Sequence, residues 1–365
     1  MSAFDKLKGK LSSAPATWLV TGAAGFIGSN LLEALLRLGQ KVVALDNLST
    51  GHRKNLDHVR SSIGAAQWKN CKWIEGDIRD PKLCHRATRG VKYILHQAAL
   101  GSVPRSIVEP LATHESNVTG TANLLWAAQQ NGVKRFVFAS SSSVYGDDKS
   151  LPQIENKIGR CLSPYAVSKR VNELYADVFQ KCYGFETIAL RYFNVFGPRQ
   201  DPNGAYAAVI PKWIAAMIED EPVFINGDGS TSRDFCYVAN VVQANLLAAT
   251  VQNKDAVSEQ FNVALGAKTS LNQLYELIRE RLVASQPHLQ KSKPRYRDFR
   301  KGDILHSMAD ISKARRLLGY EPTHTIAQGL DEALDWYVAN MSPARNGASK
   351  TIARKPRPKS TKLKA

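Results

Sequence analysis

Short apolar runs, each closed by a polar or glycine break, recur through the first half of the chain. TWLVTG (17–22), VVALDN (42–47), WIEGDI (73–78), YILHQAA (93–99), RFVFASSS (135–142) and ETIALRYFN (186–194) share this form. Such runs read as strands buried on both faces. Between them lie segments with apolar residues at helical spacing. IGSNLLEALLRL (27–38) is one, ending at Gly39, and NLLWAAQQNG (123–132) is another. Glycine just past the last periodic residue is a helix stop. Strand–helix alternation predicts an α/β fold, a doubly wound parallel sheet with helices on both faces.

After about residue 195 the rhythm changes. PVFINGDGSTSRDFCYV (222–238) and YRDFRKGD (296–303) read as short extended or loop segments among helices. The expected organisation is an N-terminal arm over 1–16 and a nucleotide-binding domain over 17–195. A smaller C-terminal α/β substrate lobe over 196–341 and a tail over 342–365 would follow. No internal repeat is visible.

Three glycines, Gly22, Gly25 and Gly28, follow the first strand at spacing three and open a helix. Small residues let the backbone approach a pyrophosphate, and the helix N-terminus offers N–H groups and partial positive charge. Asp46 ends the second strand, 18 residues after Gly28. A carboxylate there suits ribose hydroxyls and repels a 2′-phosphate, which favours NAD over NADP. Asp77 and Ile78, at the end of the third strand, are placed to flank the adenine.

SPYAVSKRVNELYADVF (163–179) reads as a helix with Pro164 near its start. Val167, Val171, Leu174, Tyr175 and Val178 form the expected core stripe. Tyr165 and Lys169 share another face, at i and i+4. A free phenol titrates near ~10. A nearby ammonium and an oxidised nicotinamide both favour the phenolate, so the expected shift is downward. That phenolate can take a proton from an alcohol while hydride leaves. Ser140 to Ser143 follow an apolar strand, and parallel sheets place chemistry at the carboxyl ends of strands. A serine hydroxyl there can share the reacting proton with Tyr165.

Composition narrows the setting. The chain has 365 residues and a net charge of +17. Eight of its cations and no acid lie in 342–365, so the rest carries +9. The tail reads as disordered, suited to plain solvent or to an anionic surface. The body suits a phosphate-bearing substrate. No apolar run is long enough to span a membrane, and residues 1–17 lack a signal-peptide core. Cys71, Cys84, Cys161, Cys182 and Cys236 are scattered without C-x-x-C spacing. They read as reduced thiols in a cytoplasmic protein, and no metal site is expected.

Taken together, TGxxGFIG, LDN (45–47), GDI (76–78), HQAA (96–99), SSSSVYG, YxxxK and RYFNVFGPRQ (191–200) resemble the extended short-chain dehydrogenase/reductase family. The likeness covers about residues 17–340 and is to its nucleotide-sugar 4-epimerases. It implies a Rossmann-type domain, tightly bound NAD and a homodimer formed through 107–131 and 164–183. Tyr165 would deprotonate the sugar's C4 hydroxyl, and the 4-keto sugar would turn over and take hydride back on its other face. Lys169 would hold the nicotinamide ribose. Ser141 matches the catalytic serine, with Ser142 and Ser143 as competitors. Phe26, Ile27, Asn47, Thr50, Gly51, Gln97, Asn117 and Phe193 become cofactor candidates. Ser102, Arg105, Val209 and Phe224 become substrate candidates beside the serines. Asn194, Arg233, Arg300 and Asp303 match positions holding the nucleotide diphosphate and its ribose.

Three departures from the UDP-galactose epimerase pattern carry weight. Gly101 replaces a lysine near the cofactor, and Ala208 replaces a substrate-contacting asparagine. Ser307 stands where a bulky tyrosine excludes N-acetyl groups. GSVPRS (101–106) and YFNVFGPRQDPNGAYAAVIPKW (192–213) also resemble bacterial epimerases preferring UDP-GlcNAc and UDP-GalNAc, which feed surface polysaccharide synthesis. UDP-GlcNAc 4-epimerisation is therefore the leading expectation. The corresponding uronic acid is the alternative, with Arg105 or Lys212 meeting its carboxylate. A 4,6-dehydratase needs an acid–base pair where this chain has Ser142 and Ser143. A non-catalytic NAD sensor would have little need of Tyr165 and Lys169 in register. A nucleic-acid binder has only the overall charge in its favour.

Overall fold

The computed structural model describes residues 2–203, 207–299 and 305–341. Each apolar run forms a strand: β1 (Thr17–Thr21), β2 (Lys41–Asp46), β3 (Cys71–Glu75), β4 (Tyr93–His96), β5 (Arg135–Ser141) and β6 (Thr187–Tyr192). A further strand, β7 (Gln260–Val263), pairs with the outer edge of β6. The order is β7-β6-β5-β4-β1-β2-β3, with every pairing parallel. Trp18 and Val20 of β1 enter one core with Leu31, Leu35 and Val42. Leu19 enters another with Val43, Ile94 and Phe136. Successive residues thus feed opposite faces, which is why these strands read as continuous apolar runs.

β1 lies between β2 and β4, so the winding reverses there. A crevice opens at the carboxyl ends of strands at such a point. β7 and the helix Val238–Thr250 come from the stretch read as the lobe, so the main sheet draws on residues past 195. A separate core holds Phe196, Trp213, Ile225, Tyr275, Leu330 and Tyr337. Residues read as an arm contain the helix Ala3–Ser13, begun by a Ser2–Asp5 capping box. Buried Gln40 ties it down, donating to Leu11 C=O at 2.7 Å and accepting from Trp18 Nε1 at 3.0 Å. No described helix is long and apolar enough to cross a membrane.

The helix Pro164–Tyr183 reverses the expected orientation. Val167, Leu174, Tyr175 and Val178, read as its core stripe, are 40–50 % exposed, and Val171 is only partly buried. The buried face carries Ala166, Ser168, Lys169, Asn172, Glu173, Ala176 and Phe179. Polar side chains can face inward here because each makes at least one bond, with only Asn172 Oδ1 among those of this face left without a partner. Lys169 reaches Ala139 C=O, Asn172 reaches Thr121 Oγ1, and Glu173 meets Ser140 and Arg191. Satisfied polar groups tolerate burial.

Candidate active site

Gly22 ends β1 at a φ of 67°, and a Cβ there would stand 2.8 Å from Ala98 N. Gly28, in the first turn of the helix Phe26–Arg37, rests against Gly22 C=O, where a side chain would collide. That helix begins at Gly25 with no side-chain cap. Backbone N–H groups thus remain for a ligand at its N-terminus. Asp46 accepts from Ala24 N–H at 3.0 Å and Leu48 N–H at 2.8 Å. Burial raises its pKa, while those N–H bonds pull it back.

These residues border a cavity of about 450 Å³. Gly22, Gly25, Phe26, Ile27, Gly28, Asp46, Asn47, Thr50, Gly51, Ile78 and Gln97 all line it, as the sequence led us to expect of a cofactor site. Among the described lining residues Asp77, Asn117 and Phe193 are absent. Asp77 is partly exposed and bonded to that wall, accepting from Asn47 Nδ2 at 2.8 Å. Arg79 grips the same carboxylate and holds it down to about 2. Buried Asn117 brackets Leu100, accepting its N–H at 2.7 Å and donating to its C=O at 3.1 Å, and also donates to Ser168. Phe193 lies in the core beside Tyr145. Ser49, Ala98 and Tyr192 do line the cavity and were missed, and Ser140, one of the four candidate serines, lines it too. Each adjoins a strand end within or beside a motif already noted.

The same cavity reaches Ser141, Tyr165, Lys169, Arg105 and Asn194. Ser163 caps the helix Pro164–Tyr183 by accepting from Ala166 N–H, and Pro164 follows in its first turn. Ser141, last in β5, lines the cavity together with Tyr165, and its Oγ accepts from Ser143 N–H at 3.2 Å. Lys169 Nζ lies 5.9 Å from the Tyr165 ring centroid and donates to Ala139 C=O at 2.8 Å. Burial brings Lys169 down to about 8. Burial also raises Tyr165, with Ser141 acting in the opposite direction. The expected lowering of the phenol is therefore not produced by the chain's own groups, because desolvation outweighs an ammonium directed at Ala139. Ser142 and Ser143 sit in the short turn Ser142–Tyr145, and neither lines the described cavity.

A second cavity, of about 850 Å³, is lined by Ser102, Ala208, Val209, Phe224 and Arg233, with Lys212 and Arg297. Asn194 borders both cavities. Its φ is 22° and its amide donates to Asp234 C=O at 3.1 Å. Ser102 accepts from Arg105 N–H at 3.2 Å, starting the helix Val103–Val108. Ser307 is nearly buried beside Arg233, its N–H bonded to Ser232 C=O at 3.1 Å, and lines neither cavity among the described residues. Arg300, Asp303 and the tail 342–365 lie outside the described residues.

A backbone cradle at the switch point of a parallel sheet, opening onto a Ser–Tyr–Lys cluster, defines a dinucleotide-dependent enzyme of the extended short-chain dehydrogenase/reductase type. Residues 18–264 match the NAD dependent epimerase/dehydratase family, and the chain belongs to that family. NAD is its cofactor, and the cradle fits it: glycines where side chains would collide, an uncapped helix N-terminus, and an acid closing β2. A UDP-glucose 4-epimerase from Mycolicibacterium smegmatis is 35 % identical over 321 residues, covering 87 % of this chain and 97 % of that protein. A UDP-glucuronate 4-epimerase from Thermodesulfobacterium geofontis is 34 % identical, covering 89 % and 97 %. The solved UDP-N-acetylglucosamine 4-epimerase from Methanobrevibacter ruminantium M1, in complex with UDP-N-acetylmuramic acid, is 38 % identical. It superposes with a TM-score of 0.81, covering 90 % of this chain and 99 % of that one.

Proposed function

We propose that this protein is a cytoplasmic nucleotide-sugar 4-epimerase converting UDP-N-acetylglucosamine to UDP-N-acetylgalactosamine. The observation that carries the reading is the presence of Asn194 in the walls of both cavities. One holds the cofactor cradle with Ser141, Tyr165 and Lys169, and the other holds Phe224 and Arg233. A sugar beside Asn194 would have its nucleotide on Arg233 and Phe224 and its C4 hydroxyl at Tyr165. Arginine suits a diphosphate because its fork meets two oxygens. Arg300 and Asp303 join this set by resemblance.

Tyr165 Oη takes the proton of the C4 hydroxyl and later returns it to the same oxygen. Ser141 Oγ, lining the same cavity, holds the reacting oxygen and shares the proton. Lys169 places positive charge beside the phenol and the cofactor ribose. Gly22, Gly25 and Gly28 cradle the pyrophosphate, and Asp46 takes the adenosine ribose. Held there, oxidised NAD would supply the acceptor for the C4 hydride, and its positive charge would offset the burial that favours the Tyr165 proton. Retention of the cofactor through the cycle rests on these contacts, since Gly101 supplies no side chain.

The 38 % identical neighbour of that activity supports an N-acetylated sugar, and the small Ser307, which lines neither described cavity, enters by resemblance. Arg105 lining the catalytic cavity favours a second reading, epimerisation of the corresponding uronic acid, with Arg105 meeting the carboxylate. The exposed stripe Val167, Leu174, Tyr175 and Val178, with Ile107, Val108 and Leu111 nearby in the helices before it, supports a homodimer through this face.

The test uses purified protein without added NAD, given UDP-GlcNAc or UDP-glucose, with products read by NMR. UDP-GalNAc is expected to form much faster than UDP-galactose. Ser307→Tyr should slow the N-acetylated sugar ~10-fold or more and spare UDP-glucose. UDP-GlcNAc turnover that survives this change rejects the pocket argument. Turnover confined to UDP-GlcNAc uronic acid moves the assignment to the second reading.

A further inference from the structure

The catalytic helix carries one more inward charge. Glu173 lies one turn beyond Lys169 and two beyond Tyr165, and it is buried. Its Oε1 accepts from Ser140 Oγ at 2.7 Å and Arg191 Nε at 2.8 Å. Its Oε2 accepts from Arg191 Nη2 and from Arg170 Nη1, both at 2.9 Å. Arg191, on β6, is buried too; its Nη1 donates to Glu155 C=O at 2.8 Å. The Arg191 guanidinium lies 5.0 Å from the centroid of Tyr145, whose hydroxyl donates to Asn262 Oδ1 at 2.6 Å. Burial opposes the Glu173 charge, yet these donors keep its carboxyl below the ordinary range.

Three consecutive residues at the end of β5 face three side chains set four residues apart on the helix. Ala139 C=O takes Lys169 and Ser140 takes Glu173, while Ser141 shares the cavity lining with Tyr165. A buried ion pair gives little net stability over well-packed apolar groups, because desolvation cancels most of the attraction. What a two-pronged arginine–carboxylate contact does impose is one relative orientation. A slip of the helix would break this contact and carry Tyr165 away from Ser141.

We propose that the Glu173–Arg191 pair, with Ser140, is a positioning device that sets Tyr165 and Lys169 in register with Ser141. It rests on Tyr165 being the proton carrier of the reaction proposed above. Tyr145 of SSSSVYG and Arg191 of RYFNVFGPRQ, which have no part in the chemistry, are then the wall and the fork of this device.

Two full-length variants test it. Ser140→Ala removes only the strand–helix rung. The triple variant Ser140→Ala, Glu173→Met, Arg191→Met removes every polar end of the device, so no buried charge is orphaned and Arg170 can turn to solvent. Both are expected to melt cooperatively and retain NAD. KM should change little, while kcat falls about threefold in the first and about tenfold or more in the second. The Tyr165 phenol titration is followed as ultraviolet tyrosinate absorbance, each variant against its own Tyr165→Phe counterpart, and it should move away from that of the parent. A lower melting temperature with kcat and titration unchanged in the folded triple variant overturns the proposal. If the triple variant does not fold, Ser140→Ala decides alone, and unchanged kcat and titration overturn it. The titration needs no substrate. A parent protein that turns over no UDP-sugar, with a titration that still moves, sinks the proposed reaction and leaves the positioning device standing.

Discussion

Two helices open at the carboxyl ends of sheet strands and use their surfaces in opposite ways. The helix Phe26–Arg37 buries Leu31, Leu32, Leu35 and Leu36 and leaves Arg37 paired with Glu33 toward solvent. The helix Pro164–Tyr183 buries Ser168, Lys169, Asn172 and Glu173 and leaves Val167, Leu174, Tyr175 and Val178 exposed. The difference follows from what each offers its cavity. The first contributes backbone at its N-terminus, so its side chains are free to build core. The second contributes side chains, so its inward face must be polar and each polar group must find a partner. Its apolar face is left over, available to another surface.

The largest effect should come from the side-chain helix. Tyr165→Phe should cut turnover ~10²–10⁴-fold, with NAD still recovered from the denatured protein. Turnover within a few-fold of the parent would remove Tyr165 as the proton carrier. On the backbone helix the effect should fall on stability instead. Leu31→Ala removes a fully buried side chain and should cost ~2–5 kcal/mol in chemical denaturation. Turnover per folded molecule should stay the same. A large loss of kcat in folded Leu31→Ala protein would show that this helix also works through its side chains.

What was legible in the sequence divides along the same line. The strands and the glycine cradle are written locally: an apolar run, then glycines at fixed spacing. They could be placed from residues 17–28 alone. Depth is not written locally. Asn117 and Phe193 adjoin the right strands and helices but are fully buried, and partly exposed Asp77 is bonded to Asn47 of the cavity wall; spacing along the chain does not separate these depths. The periodicity of 163–179 revealed an apolar stripe without its direction. Direction depends on Arg191 and Ser140, on other strands, which make a polar face tolerable inside. β7 was missed because four residues, QFNV, barely register as a run among helices.

The two helices should also differ in how stability depends on pH. Burial holds Lys169 near 8 in the folded chain, against an ordinary value of 10.5. Between these values the unfolded chain binds the proton more tightly, so this contribution to stability rises with pH. Below about 8 the buried ammonium carries its full penalty; above 10.5 the penalty is gone. The stability of the parent relative to Lys169→Met should therefore rise by ~3 kcal/mol across that window, read from denaturation curves at several pH values. The same comparison for Leu31→Ala should be flat. A flat Lys169→Met difference would mean that the ammonium is solvated and that the inward face is not dry.

The smallest intrinsic effect is expected on the outward stripe. Leu174→Ser and Val178→Ser change residues about half exposed, so each should shift the stability of an isolated chain by no more than ~0.5 kcal/mol. Their effect should appear in assembly. If a second copy covers this face, light scattering will show the parent mass halved in the double variant. The melting temperature will also lose its dependence on protein concentration, because dimerisation no longer favours the folded state by mass action. A parent that is already monomeric leaves the stripe as bare surface and removes the dimer. If the two serines instead cost as much as Leu31→Ala in a monomeric parent, the stripe is part of a core after all. The contrast between a helix that serves its site with backbone and one that serves it with side chains would then have to be abandoned.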